Sequence, residues 1–145
     1  MKAASFLKIG AVFLATTLAS PQSNSPADQP TPSPHRSGPN GLEGWTLDSS
    51  IPDHPGDTFP FTLVIARNGL VIRRIDGDPF VWRWIFWRDG RQVAYESGPL
   101  HWGMRCTLVS VATGKELASY DCFHGVPENA PGWLKTLETS EKNGV

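Results

Sequence analysis

From Leu42 onward the chain falls into short runs of alternating apolar and polar residues, separated by Asn-Gly, Asp-Gly and Thr-Gly pairs. The run FTLVIARNGLVIRRI (61–75) places two β-branched stretches around Asn68-Gly69. That is the strongest short-range hairpin signal, because a type I′ turn needs positive φ at both central positions. Pairing about this turn sets Ile65 opposite Ile72 and Ala66 opposite Val71. Both faces are then fairly apolar, which suits a strand pair covered on more than one side.

A second hairpin, VWRWIFWRDGRQVAY (81–95), closes at Asp89-Gly90. A two-residue loop puts Phe86 opposite Val93, Trp84 opposite Tyr95 and Trp82 opposite Ser97 on one face, since side chains alternate along a strand. The other face carries Ile85 with Ala94, Trp87 with Gln92, and Arg83 opposite Glu96. An aromatic ladder on one face and an opposite-charge pair on the other describe a half-exposed sheet. Trp82, Trp84 and Phe86 are therefore expected in the core. Trp87 shares its face with Arg83 and Gln92, and is expected to stay partly exposed and available to a partner.

The third hairpin, CTLVSVATGKELASYDC (106–122), contains both cysteines of the chain. With a loop of Thr113 to Lys115, Cys106 faces Cys122, Leu108 faces Tyr120 and Val111 faces Leu117. A cross-strand disulfide follows. The spacing excludes a CxxC redox pair, and two thiols are too few for a metal site. In the closing segment PENAPGWLKTLETSEKNGV, Asn129 can cap a short helix and Pro131 suits its first turn. Trp133, Leu134 and Leu137 fall on one side and are expected to dock on the sheet. The predicted fold over residues 42–139 is all-β: an antiparallel meander of successive hairpins, blade-like or a small sandwich, with a short C-terminal helix. Residues 140–145 are expected to be a flexible tail.

The segment before Leu42 changes the picture of where the protein works. MKAASFLKIGAVFLATTLAS has Lys2 and Lys8 ahead of an apolar run from Ile9 to about Leu18, then small residues. This reads as a secretory signal over residues 1–19, cleaved after Ala19. A transmembrane span needs about 20 apolar residues, and Lys8 interrupts the run. No cysteine follows that would carry a lipid anchor. Residues 20–41, rich in Pro, Ser, Gln and Asn, are expected to form a disordered spacer, because they bury too little apolar surface to offset their ordering entropy. The expected location is extracytoplasmic, periplasmic or secreted, with no membrane span once the signal is removed. An oxidising compartment also suits the disulfide. Loss of Lys2 and Lys8 leaves 11 basic against 14 acidic groups, a net charge of −3, and so no electrostatic case for nucleic acid.

The stretch FWRDGRQVAY (86–95) followed by LVSVATGKEL (108–117) resembles one blade of the TolB-type β-propeller repeats of bacterial envelope proteins. Those repeats run strand, Asp-Gly turn, strand ending in an Ala-aromatic pair, then two more strands around a Thr-Gly-like turn. Asp89-Gly90, Val93-Ala94-Tyr95 and Thr113-Gly114-Lys115 match, while Trp87-Arg88 stands where the family has Ser-Pro. The resemblance spans residues 81–120. One blade cannot close a propeller, so it implies a blade-like meander that another pair of strands and the helix complete. It also implies a role in protein interaction.

Candidate chemistry is sparse. His101, in GPLHWGMRC, and His124, just after Cys122, are expected at one end of the sheet if the cysteines pair, with Asp121 beside them; whether they meet in space is left open by the sequence. That arrangement suits a metal or a general base with an orienting carboxylate, but no third ligand or oxyanion-hole motif accompanies it. Polar loop residues beside a disulfide are the preferred reading. Asp76 and Asp78 in IDGDP are turn chemistry before they are part of a calcium loop, which needs six to eight oxygens. Gly-x-Ser-x-Gly, His-Glu-x-x-His and phosphate-loop motifs are absent from the sequence, and no cofactor is expected. The leading expectation is an exported non-enzymatic interaction module of the cell envelope or secreted fraction, with a protein or glycan partner. A carbohydrate-binding module using Trp45, Trp87 and Trp102 is the first alternative. A small extracytoplasmic hydrolase using His101 and His124 is the second.

Overall fold

A computed structural model of the protein describes residues 29–99 and 101–142. The expected signal (1–19), the first part of the expected spacer and the end of the expected tail lie outside the described residues. Among the described residues nine strands and one α-helix follow in order, with a 3-10 turn at Pro39–Gly41: β1 (Thr31–Pro32), β2 (Arg36–Ser37), β3 (Leu42–Ile51), β4 (His54–Arg67), β5 (Leu70–Asp76), β6 (Phe80–Trp87), β7 (Gln92–Gly98), β8 (Arg105–Ser110), β9 (Glu116–Asp121) and α1 (Gly132–Glu138). One sheet has the order β1-β3-β4-β5, with β2 also on β3; the other is the meander β6-β7-β8-β9. All the pairings are antiparallel. The protein is thus all-β with one short C-terminal helix, as its alternation predicts.

The first hairpin turns at Asn68 (φ 50) and Gly69 (φ 78), the left-handed pair that a type I′ turn requires. Ala66 faces Val71 as expected, but a bulge then puts Ile65 opposite Arg73 instead of Ile72. The extra residue turns Arg73 toward the other sheet, where its Nε donates to Val111 O (3.1 Å) and its Nη2 to Ala112 O (2.7 Å). Two-sided coverage holds for β4, whose Leu63, Val64, Ile65 and Ala66 are all buried. It fails for β5, an edge strand that exposes Leu70, Val71 and Ile72.

The second hairpin keeps the expected register from Arg83–Glu96 to Trp87–Gln92. Below it a bulge pairs Val81 with Ser97, displacing Trp82 from that place. Trp82 is still buried, in a cluster with Phe59 and Phe80, and its Nε1 donates to Gly98 O at 2.9 Å. In the third hairpin the register is shifted by two: Cys106 faces Tyr120 and Leu108 faces Ala118. The connection is longer than the expected loop, closed by Gly114 N to Ser110 O (2.7 Å), and Val111 enters the core instead of pairing with Leu117. The disulfide Cys106–Cys122 nevertheless forms, with Cα atoms 5.9 Å apart. Cys122 N donates to Met104 O (2.9 Å), which makes Cys122 the diagonal neighbour of Cys106 on one face, still within reach.

The two sheets pack face to face. Leu42, Leu63 and Ile65 of the first meet Val81, Trp84, Val93 and Val109 of the second, with Phe86 and Tyr95 at the margin. Gly44 permits this approach: a Cβ there would lie 2.4 Å from the Trp84 ring. Segment 31–41, expected to be disordered spacer, belongs to the fold. Ser33 N donates to Thr46 O (2.8 Å) and its Oγ accepts from Thr46 N (2.8 Å). The Arg36 guanidinium lies 5.2 Å over the Trp84 ring. This arm gains its order by pairing with β3, which its composition does not reveal.

The helix α1 forms a third layer. Its Trp133, Leu134 and Leu137 are buried, as expected, against Ala94, Cys106 and Leu108, with Ile85 and Trp87 alongside. Its N-cap is Pro131 and not Asn129, and no side chain caps it. The face of the second sheet expected to meet solvent is therefore covered. Arg83 and Glu96 are enclosed there, with side chains 13% and 11% exposed and Nε 3.1 Å from Oε2. Arg83 Nη1 also donates to Glu138 O at the end of α1.

Tyr95 gives this core a pH dependence. Burial pushes its phenol above the ordinary value of 10.0, and the negative charge of Glu116 adds to the shift, against the opposing effects of the Thr107 hydrogen bond and Arg105. A raised folded-state value means that the native state holds the proton more tightly than the unfolded chain. The associated stability is full below the unfolded value and is lost as pH rises through the folded one. Urea midpoints should fall above roughly pH 10, and Tyr95→Phe should fall less over the same interval. Equal alkaline slopes for the two proteins would exclude Tyr95 as the source.

Candidate functional site at the loop end of the second sheet

Three segments meet where β7 gives way to β8 and where β9 ends. They are the stretch His101–Met104 ahead of β8, the start of β8, and the stretch Cys122–Val126 leading toward α1. The disulfide joins the second to the third. Local bonds shape the third segment: Phe123 N donates to Asp121 Oδ1 (2.9 Å), Gly125 N to Cys122 O (3.1 Å), and Val126 N to Glu138 Oε1 (3.3 Å). Side-chain and backbone bonds at Asp and Cys thus turn the chain tightly after the last strand.

The surface here is grooved. A cleft of about 400 Å³ is lined by Gly103, Met104, Arg105, Ser119, Tyr120 and Asp121. A second of about 310 Å³ shares Met104 and reaches the disulfide, Phe123 and the Arg83–Glu96 pair. Both volumes fall at the lower end of the range for small-ligand sites. Large aromatic surface is exposed around them: Trp102 is 71% exposed, Phe123 43% and Tyr120 42%. Tyr120 also packs edge-on against Trp133 at 5.7 Å, which braces one ring against the helix layer. On the floor of the second cleft, Arg83 Nε is near Glu96 yet makes no well-directed hydrogen bond. Its role here is to clamp α1 through Glu138 O.

The sequence-derived candidates separate in the structure. Trp102 stands at this end, exposed as expected from its loop position. Trp87 is at the opposite end of β6, partly exposed as expected, with its buried part packed in the helix-side cluster. Trp45 lies on β3, half-buried, and His35 stacks on it with ring centroids 4.0 Å apart and planes within 7°. His35 Nδ1 is held 3.1 Å from Glu43 Oε2. The three tryptophans therefore form no common platform.

His101 and His124 do lie on the two loops of the same end, and both are exposed. No hydrogen bond or ring contact joins them among the described residues; His124 instead meets the Phe123 ring edge-on at 4.9 Å. Among the described residues no three His, Cys, Asp or Glu side chains come close enough to hold a metal ion. The Thr62 hydroxyl donates to Asp76 Oδ1 at 2.8 Å across the β4–β5 pair, and Asp78 N donates to Ser97 Oγ at 2.6 Å. Tyr120 and Phe123 are the site residues that the sequence reading missed. Their signal was their place beside Cys122, where the bridge holds them at the rim.

The fold and this end of it define a class: a two-sheet β-sandwich with one helix-covered face and a grooved, aromatic loop end. Comparison with protein-family models, with curated proteins and with solved structures finds no match to this chain.

Proposed function

We propose that the protein is an exported, non-enzymatic binding module of the cell envelope or secreted fraction, which engages its partner at the loop end of the second sheet. The observation that carries this reading is the grouping of exposed Trp102, Tyr120 and Phe123 around two clefts beside a disulfide. Aromatic rings bring large contact area at low entropic cost, which is why they dominate binding hot spots. Extracytoplasmic location is supported by the signal-like start and by the disulfide. No helix among the described residues is long and apolar enough to cross a membrane. The TolB-type resemblance of residues 81–120 also implies an interaction role. A glycan partner is the second reading, favoured by the 71% exposure of Trp102, since an open indole face stacks on a sugar ring.

Trp102→Ala should weaken a true ligand several-fold, because a binding ring typically contributes on the order of 1 kcal/mol or more, while leaving the melting curve unchanged. His101→Ala combined with His124→Ala should leave affinity nearly intact. Tryptophan fluorescence and NMR shifts against peptidoglycan fragments, neutral oligosaccharides and short peptides provide the measurement. A turnover that the double histidine variant abolishes would replace this reading with the hydrolase one.

A further inference from the structure

The strands run between two ends, and the end opposite the clefts collects four turns. Their contacts hold them together. Asn68 N donates to Gly41 O (3.0 Å), Asn40 Nδ2 to Asp89 O (3.2 Å), and Val111 N to Arg91 O (3.0 Å). Arg73 ties β5 to the β8–β9 connection through the Val111 and Ala112 carbonyls. On or beside these turns stand Arg67, Arg88, Arg91 and Lys115, all exposed. None of the four has an ion-pair partner among the described residues. The acids beside them are Asp89 and Glu116, while Glu43 is engaged by His35.

The cleft end has the reverse balance. Asp53, Asp57, Asp76, Asp78 and Asp121 are all exposed there, against Arg74, Arg105 and Lys142. A chain with a formal net charge of −1 is therefore polarised along its strands, cations at one end and acids at the other. Two further features belong to the cationic end. Leu70, the first residue after the Asn68-Gly69 turn, is 73% exposed. Arg88 is held at φ 50, ahead of Asp89 at 55 and Gly90 at 76, so an arginine occupies a left-handed position that favours glycine.

The geometry points to this turn end as a docking surface for an anionic lipid bilayer. The four cations stand on three separate turns, not around one cavity, so they match charge spread over a plane better than a single small anion. An exposed leucine among the cations can enter the interfacial layer, as apolar residues do at peripheral membrane contacts. The acids at the far end are repelled by the same surface, which orients the long axis and turns the clefts outward.

The test uses the full chain and phosphatidylcholine vesicles with and without phosphatidylglycerol, read by flotation. The apolar N-terminal run is common to every variant, so differences between variants report the turn end. Wild type should bind anionic vesicles more tightly than neutral ones, and added salt should reduce the difference. Arg67→Gln, Arg88→Gly and Lys115→Gln should each weaken anionic-vesicle binding by about fivefold, and the triple variant by about a hundredfold. Arg88→Gly suits the φ already present, and unchanged melting curves establish that each variant is folded. Leu70→Ser should weaken binding as well, whereas Arg105→Gln at the far end should not. Wild-type binding by the triple variant would overturn the proposal, as would equal losses from Arg105→Gln. Release by glycerol phosphate would also overturn it, showing a discrete anion site. Salt-sensitive oligomers without vesicle binding would assign the charge polarity to head-to-tail self-association instead.

Discussion

Trp84→Ala is expected to lower the unfolding free energy by about 3–5 kcal/mol, the range for deleting a large buried aromatic side chain. A typical domain has roughly 5–15 kcal/mol in total, so the variant should be substantially unfolded at modest urea concentrations. Trp84 is 2% exposed and belongs to the cluster joining the two sheets. Its ring lies against Gly44, meets Phe86 edge-on at 5.3 Å, and carries the Arg36 guanidinium above it. Collapse into the vacated space would require β3 and β6 to move together, which their hydrogen-bonded neighbours resist. Gly44→Val should be comparably damaging for the converse reason, since a side chain there must displace the ring. Trp87→Ala should also destabilise the protein, because Trp87 packs beside Trp133, Leu134 and Leu137 of α1. Trp102→Ala is the surface control. A Trp84→Ala urea midpoint equal to that of wild type would show that this ring is not the centre of the core.

Replacing both cysteines by alanine should cost about 3 kcal/mol, the chain-entropy value for a loop of this size. The cysteines are 16 residues apart, and the bond joins a buried position to the segment that precedes the helix layer. Beyond global stability, the change should be felt locally. Amides of Cys122 and Gly125, bonded to Met104 O and Cys122 O, should lose hydrogen-exchange protection before those of β7. Scanning calorimetry with and without a thiol reductant checks the first effect, and native-state exchange the second. An unchanged midpoint in the double variant would mean that the bridge contributes nothing to the folded state. If the proposed ligand site is correct, the same variant should also bind more weakly, because Phe123 then loses its tether.

The hairpins were legible for a local reason. Asn68-Gly69 and Asp89-Gly90 demand a backbone conformation that few residues adopt, and this sets the register of the nearest pairs without reference to the rest of the molecule. The agreement decays with distance from each turn: Ala66–Val71 holds and Ile65–Ile72 does not, while Arg83–Glu96 holds and Trp82–Ser97 does not. The slips occur at bulges. Beyond the first bulge, Arg73 faces the second sheet and bonds there, a contact that no pattern within 61–75 records. The third hairpin lacked a comparably strict turn and came out shifted by two. Its disulfide survived the shift because diagonal positions on one face still lie close together.

For the candidate site, loop position was informative about Trp102, and the cysteine spacing correctly drew His101 and His124 to one end. Alternation was informative about which face Trp87 occupies, but a face is not yet a surface. Whether a face meets water depends on what a distant segment lays over it: α1 for Trp87, and His35 of the N-terminal arm for Trp45. By itself the sequence determined the six strands of the three hairpins, two of the turns, the pairing of the cysteines and the buried side of the helix, because each depends on local conformational preference or on a short closed loop. Only the tertiary structure decided the stacking of the two sheets, the burial of the Arg83–Glu96 pair, the ordering of residues 31–41 and the separation of charge between the two ends. Those features arise from contacts between segments far apart in the chain, and their energies appear only when the layers are assembled.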